Sequence, residues 1–255
     1  MSPDKKSKRQ ERREKIVQQE RRRRLLTIGI ITVVGAFLVF AIVWPQIRPI
    51  AEVVTVESSP PAITERNTAG DPNAPIKIEE FADFQCPFCE RFHEQTQPLL
   101  MEHYVDTGKV LFVYRSMGNF VSQNIGGGRT ESQDAALAAY CAADQGKFWE
   151  MQDTLFANVL GEDIGSFTDR RLQAIAEKVG LDMTEFNSCY NSGKFADQVQ
   201  QDFTDGTAAG VKGTPGFLVT YTANGETKTK LLEGAQPFST FQQELEAILV
   251  EIGAQ

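Results

Sequence analysis

Apolar residues are distributed along this chain in runs of distinct length and period. The longest, Leu25 to Val43, holds nineteen residues without a charge and is closed by Trp44. At about 1.5 Å per residue it approaches the ~30 Å of a bilayer's hydrocarbon core, so a transmembrane helix is predicted over 25–44. It offers no polar face, which argues against a buried helix of a globular core. A cleaved secretory signal is the competing reading. The apolar core of such a signal is about 7–15 residues, and no Ala-x-Ala site follows here, so a retained anchor is the expectation.

Shorter runs follow. Ile76 to Phe84 has the length and bulk of a buried strand, and Glu90 to Tyr104 spaces Phe92, Leu99, Leu100 and Tyr104 as a helix does. Lys109 to Arg115 reads as a second buried strand. Asn119 to Arg129, with its glycines, reads as a loop. From about 130 to 210 the period is helical. Ala135 to Ala143 favours helix strongly, Phe148, Met151, Leu155 and Phe156 share one face, and Leu172, Ile175, Ala176 and Val179 share another. Phe217 to Thr222 and Thr227 to Leu232 flank Asn224-Gly225, a strong hairpin signal. Phe238 to Ile252 is an amphipathic helix with Phe241, Leu245, Ile248 and Leu249 inward. Residues 45–67, rich in proline and poor in apolar period, read as a stalk, with the folded domain running from about 68 to 255.

Charge sharpens the picture. Residues 1–24 carry eleven Lys or Arg and four acids, a net +7 that leaves −15 on the remainder of a chain whose total is −8. Arg21 to Arg24 abut one end of the apolar run and only Arg48 lies near the other. The positive-inside rule then places residues 1–24 in the cytoplasm and everything beyond about 45 outside it, as a single-pass protein of the cell membrane. Topology and anionic lipid heads explain the basic tail more simply than a nucleic-acid arm does.

An extracytoplasmic domain permits disulfides, and its four cysteines allow three pairings between which sequence alone does not choose. Cys86 and Cys89 form the favoured local pair. They stand where a strand meets a helix, separated by Pro87 and Phe88. Cys86 would then lie at the helix start, where free backbone N–H groups and the dipole favour a thiolate. Pro87 suits the first turn because its missing donor would find no partner there. A static disulfide or half a zinc site is the plain alternative. Zinc needs four ligands, and neither Cys141, Cys189, His93 nor His103 follows a finger spacing. A c-type haem would need His after Cys89, where Glu90 stands.

Phe-Ala-Asp-Phe-Gln-Cys-Pro-Phe-Cys89 at a strand end, Cys141-Ala-Ala-Asp-Gln-Gly-Lys-Phe-Trp149 in the helical block, and Gly213-Thr-Pro-Gly-Phe-Leu218 together resemble the thioredoxin-fold disulfide oxidoreductases of the DsbA type, in their membrane-anchored bacterial branch. The likeness covers about residues 68–252. It implies an α/β thioredoxin fold with a large helical insertion at about 130–210, preceded by one transmembrane helix. It also implies catalysis by Cys86 as nucleophile and Cys89 as resolving thiol, with no metal and no cofactor. Thr214-Pro215 would be a cis bond beside the dithiol, binding an extended substrate through main chain together with Pro87 and Phe88; an ordinary turn is the alternative. Glu80 matches a buried acid that exchanges a proton with Cys89, although a solvated strand acid is the simpler reading and Glu79 competes for the role. Cys141 and Cys189 match a second, structural disulfide, free buried thiols being the alternative. Phe148 and Trp149 are read as core.

The expected function is therefore a thiol–disulfide oxidoreductase that introduces disulfides into exported proteins with free thiols. A quinone-linked membrane reoxidase is the partner the resemblance implies, and the chain is expected to be a monomer. A reductase or isomerase of the same fold, and a redox-inert binding module, are the competing functions.

Overall fold

The computed structural model describes residues 8–118, 120–126 and 130–254, in two compact units, 1–50 and 51–255. The first unit is one helix, α1 (Lys8–Ile47). Its stretch from Arg12 to Trp44 is long and apolar enough to cross a membrane. The described part of the basic tail is thus helical and continuous with the apolar run, the straight-chain Arg, Lys, Gln and Glu residues being good helix formers.

The second unit is built on a six-stranded sheet in the order β1 (Thr64–Glu65), β2 (Thr68–Ala69), β4 (Val110–Ser116), β3 (Ile76–Ala82), β5 (Gly216–Ala223) and β6 (Glu226–Glu233). β3 is central, parallel to β4 and antiparallel to β5. The parallel pair needs a crossover, supplied by α2 (Pro87–Gln95), α3 (Gln97–Leu100) and a π turn at Met101–Val105. The helix expected over 90–104 is thus broken at Thr96, because Pro98 lacks the N–H that would have bonded the preceding turn. β5 turns through Asn224 and Gly225, both at positive φ, into β6 (Glu226–Glu233), as their sequence demands.

α4 (Phe120–Ile125) lies inside the segment expected to be a loop, while Asn119 and residues 127–129 of that segment fall outside the described residues. The helical insertion follows as α5 (Glu131–Ala143), α6 (Phe148–Phe156), α7 (Asp169–Val179), α8 (Met183–Asn191) and α9 (Ala196–Ala208). α10 (Phe238–Ile252) closes the chain with Phe241, Leu245, Ile248 and Leu249 buried.

Alternation along β3 sorts its two faces. Ile76, Ile78 and Ala82 join the main core, whereas Phe81 belongs to a smaller cluster with Met117 and Val211. α9 approaches this second face so closely that a Cβ at Gly206 would stand 2.7 Å from the Phe81 ring. Across the main core, Phe92 of α2, Phe217 of β5 and Phe241 of α10 pack ring to ring, with centroids 4.5 to 5.6 Å apart. This cluster fixes α2, and with it the cysteines, against the sheet.

The compact domain begins at Ala51 rather than near 68, so most of the expected stalk is docked. Buried Arg171 donates to the carbonyls of Ala51 and Asn158, and Asn158 in turn exchanges hydrogen bonds with the backbone of Val54. Ser58 donates to Asp153, Thr64–Glu65 forms β1, and Thr68–Ala69 forms β2, which pairs with β4. Proline-rich composition disguised this segment, because its hydrogen-bond partners are polar groups of α6, of the turn after it and of α7 rather than apolar residues at a regular period.

Candidate active site

β3 ends at Ala82, and four residues later Cys86 caps α2 with extended backbone angles (φ −75°, ψ 119°), Pro87 occupying the first helical turn. The cap carries no hydrogen bond from a side chain of its own, so the first-turn amides are left facing the sulfur. Both Cys86 and Cys89 are free thiols, Cys86 only 5% exposed and Cys89 wholly buried. Cys86 Sγ donates to the carbonyl oxygen of Thr214 at 3.3 Å. The Thr214–Pro215 bond is cis, and it leads directly into β5.

The two sulfurs are held in different charge states. The Cys86 thiol is pulled down to about 6, first by the Cys89 thiol as a donor and then, against the opposing effect of burial, by the Thr214 side chain and the amides of Cys89 and Phe88. The Thr214 hydroxyl is buried without a hydrogen-bond partner, which leaves it available to the thiolate. Cys89 is pushed well above the ordinary thiol range, chiefly by burial and then by the neighbouring Cys86. The arrangement therefore presents a thiolate at the floor of a groove and a protonated thiol behind it, the combination needed for attack on, or departure from, a disulfide.

Glu80 lies on the main-core face of β3 and is 1% exposed. Burial, with a smaller contribution from Cys86, raises its carboxyl to about 8. Its Oε2 and the hydroxyl of Tyr114, its register neighbour on β4, are both buried without a hydrogen-bond partner. Glu79 points the opposite way, to Arg115 at 2.8 Å and Lys77 at 2.8 Å, where Arg115 also binds Asp202 and Asp205 of α9. The parity of Glu80 with Ile76 and Ile78 was the signal that separates these two acids.

Asp83 and Gln85 carry weight that the sequence reading did not assign them. Asp83 is 1% exposed, and burial raises its carboxyl to about 7 against the hydrogen bonds that lower it. Gln85 is buried and reaches Ser122, Ser132 and Asp163. A carboxylate standing in an otherwise apolar strand end was the available signal. Phe88 is 52% exposed beside the sulfur and carries the guanidinium of Arg91 over its ring. A groove of about 500 Å³ runs past Cys86, walled by Pro87 and Phe88, by Phe120, Val121 and Asn124 of α4, and by Lys212 to Thr214.

Cys141 of α5 and Cys189 of α8 form a disulfide. Phe148 and Trp149 are buried in the core. Among the described residues, no group of three or more His, Cys, Asp or Glu is placed to hold a metal ion.

The family model described as Thioredoxin matches residues 63–235. Among curated proteins, the chain is 33% identical over 150 residues to a Na(+)/H(+) antiporter NhaA 3 of Salinispora tropica, covering 59% of this chain and 21% of that protein. It is 27% identical over 160 residues to a probable disulfide bond formation protein D of Bacillus anthracis, covering 62% of this chain and 71% of that protein. This chain thus spans only about a fifth of the antiporters' length. Among solved structures, alpha-DsbA1 of Wolbachia pipientis superposes with a TM-score of 0.62 at 22% identity, over 75% of this chain and 94% of that one. The sheet, the Cys-x-x-Cys cap and the matched span lead to one assignment: this chain belongs to the thioredoxin family, in a fold shared with the DsbA-type oxidoreductases.

Proposed function

We propose that this protein is a thiol–disulfide oxidoreductase that introduces disulfides into exported proteins. The observation that carries the proposal is the contrast between the two sulfurs, Cys86 held as a thiolate at the mouth of α2 and Cys89 kept protonated behind it. In the oxidised form a substrate thiolate attacks Cys86 Sγ, the Cys86–Cys89 bond breaks, and Cys89 leaves as a thiolate that takes a proton from Glu80. The substrate's second thiolate then attacks its own sulfur in the mixed disulfide. Cys86 departs as a thiolate, the substrate leaves with a new disulfide, and both electrons remain on the Cys86–Cys89 dithiol. A thiolate as stable as Cys86 is a good leaving group, which drives the exchange toward substrate oxidation.

The Thr214 backbone and the walls at Pro87 and Phe88, which line one groove with Cys86, suit an extended chain laid beside the sulfur and bound through main chain. The basic residues up to Arg24 would lie in the cytoplasm, with 25–44 spanning the membrane and the domain outside, where disulfides persist. A quinone-linked membrane reoxidase would withdraw the electrons. The deciding measurement is the Cys86–Cys89 reduction potential against glutathione. A value near −120 mV supports an oxidase, whereas one near −270 mV makes the same chemistry a reductase.

A further inference from the structure

Asp83 is a junction between the dithiol and the opposite wall of the groove. Its backbone N–H faces Cys89 Sγ at 3.5 Å, and its carbonyl accepts from the N–H of Cys86 at 3.0 Å. Its carboxylate accepts from the Gln85 N–H at 2.8 Å through Oδ1 and from the Val121 N–H at 2.9 Å through Oδ2, with the Ser132 hydroxyl as a further donor. Gln85 adds a bond to Ser122, on the same short helix as Val121.

We propose that Asp83 is a positioning residue for substrate, its carboxylate fastening the α4 wall of the groove at a fixed distance from Cys86. α4 spans only Phe120–Ile125, too few residues to hold a helix by its own propensity, and its first-turn amides need an acceptor from elsewhere. Asp83 supplies that acceptor from the turn that also carries the nucleophile. Phe120 and Val121 line the same groove as Cys86 and Thr214, so an extended substrate laid beside the sulfur also meets the α4 wall. A small dithiol, which needs only the sulfur, is indifferent to that wall.

This inference rests on the exchange reading of Cys86 and is tested apart from it. In the full-length protein in detergent, Asp83→Ser retains a local acceptor for Gln85 N–H but cannot reach Val121, and Asp83→Asn keeps one acceptor oxygen where two are used. The oxidised proteins are reacted in parallel with a reduced dithiol peptide and with dithiothreitol. The expected result for Asp83→Ser is a loss of about tenfold in kcat/KM with the peptide, carried by KM, against a dithiothreitol rate within about twofold of wild type. Asp83→Asn should fall between the two, and it carries the same comparison if the Ser variant does not fold. Parallel loss with both reagents, or no loss with the peptide, overturns the positioning role. Wild-type protein inert to both reagents would instead overturn the exchange reading, and this assignment with it.

Discussion

Cys86 Sγ and the Thr214 carbonyl oxygen meet at 3.3 Å, joining the cap of α2 to the entrance of β5. In the thiolate form the sulfur becomes an acceptor, and the partnerless Thr214 hydroxyl becomes useful to it. Thr214→Val should therefore raise the Cys86 pKa by about one unit, the size of one charge-assisted hydrogen bond. Cys89→Ala removes the largest stabilising donor and should raise it further, while trapping substrates as mixed disulfides on Cys86. Thiolate absorbance near 240 nm across a pH series reads both, and a Cys86 pKa unmoved by either substitution would refute this account of the site.

The depressed Cys86 pKa also fixes how stability depends on pH. The thiolate is favoured in the folded reduced protein at about 6 against an ordinary value of 9.0. The Cys86 contribution to the stability of the reduced form should therefore be complete above pH 9 and be lost as pH falls toward 6, by about 4 kcal/mol in all. The oxidised form lacks this thiolate, so the melting temperature of the reduced form should fall relative to that of the oxidised form over that window. A constant gap from pH 9 to pH 6 would contradict the assignment.

Glu80 has the opposite sign. Its carboxyl is raised from 4.5 to about 8, so the folded state keeps a proton that the unfolded chain releases. Stability should fall as pH rises between those values, by about 3 kcal/mol at pH 7. Glu80→Gln should flatten this slope, most clearly between pH 7 and 8 where the raised Asp83 carboxyl no longer contributes, and raise the melting temperature at neutral pH. It should also slow turnover, because Cys89 then loses its proton partner. Chemical denaturation from pH 5 to pH 8, with and without the substitution, tests the first claim independently of activity.

The bridge from Cys141 on α5 to Cys189 on α8 spans 48 positions and lies apart from the groove. Replacing both with Ala should cost about 4 kcal/mol by the loop-entropy argument. The Cys86 pKa should not move and the rate with dithiothreitol should stay within about twofold of wild type, since the bridge acts on the unfolded chain. Stopped-flow kinetics and a melting curve on the double variant separate the two roles.

Local pattern determined a great deal of this protein. The uncharged run to Val43, the strand at Ile76, the Asn224-Gly225 hairpin and the Phe238–Ile252 helix are written in side-chain period and turn chemistry, which act between near neighbours. So is the place of Cys86 at a helix start, because Pro87 can open a helix but not continue one. The resemblance added the partner of Cys141 and the isomer at Pro215, which no local pattern holds. Only the tertiary structure decided the remainder. Glu80 and Glu79 are adjacent and chemically alike, yet one is buried without a partner and the other is paired with Arg115, a difference made by what packs on each face of β3. Residues 51–67 read as a free stalk until Arg171 of α7 and Asn158 of the turn after α6 reached them. Asp83 became a junction only when α4 folded back onto it. Burial and long-range hydrogen bonding set these charges and contacts, and both depend on residues far apart in the chain, where sequence period carries no information.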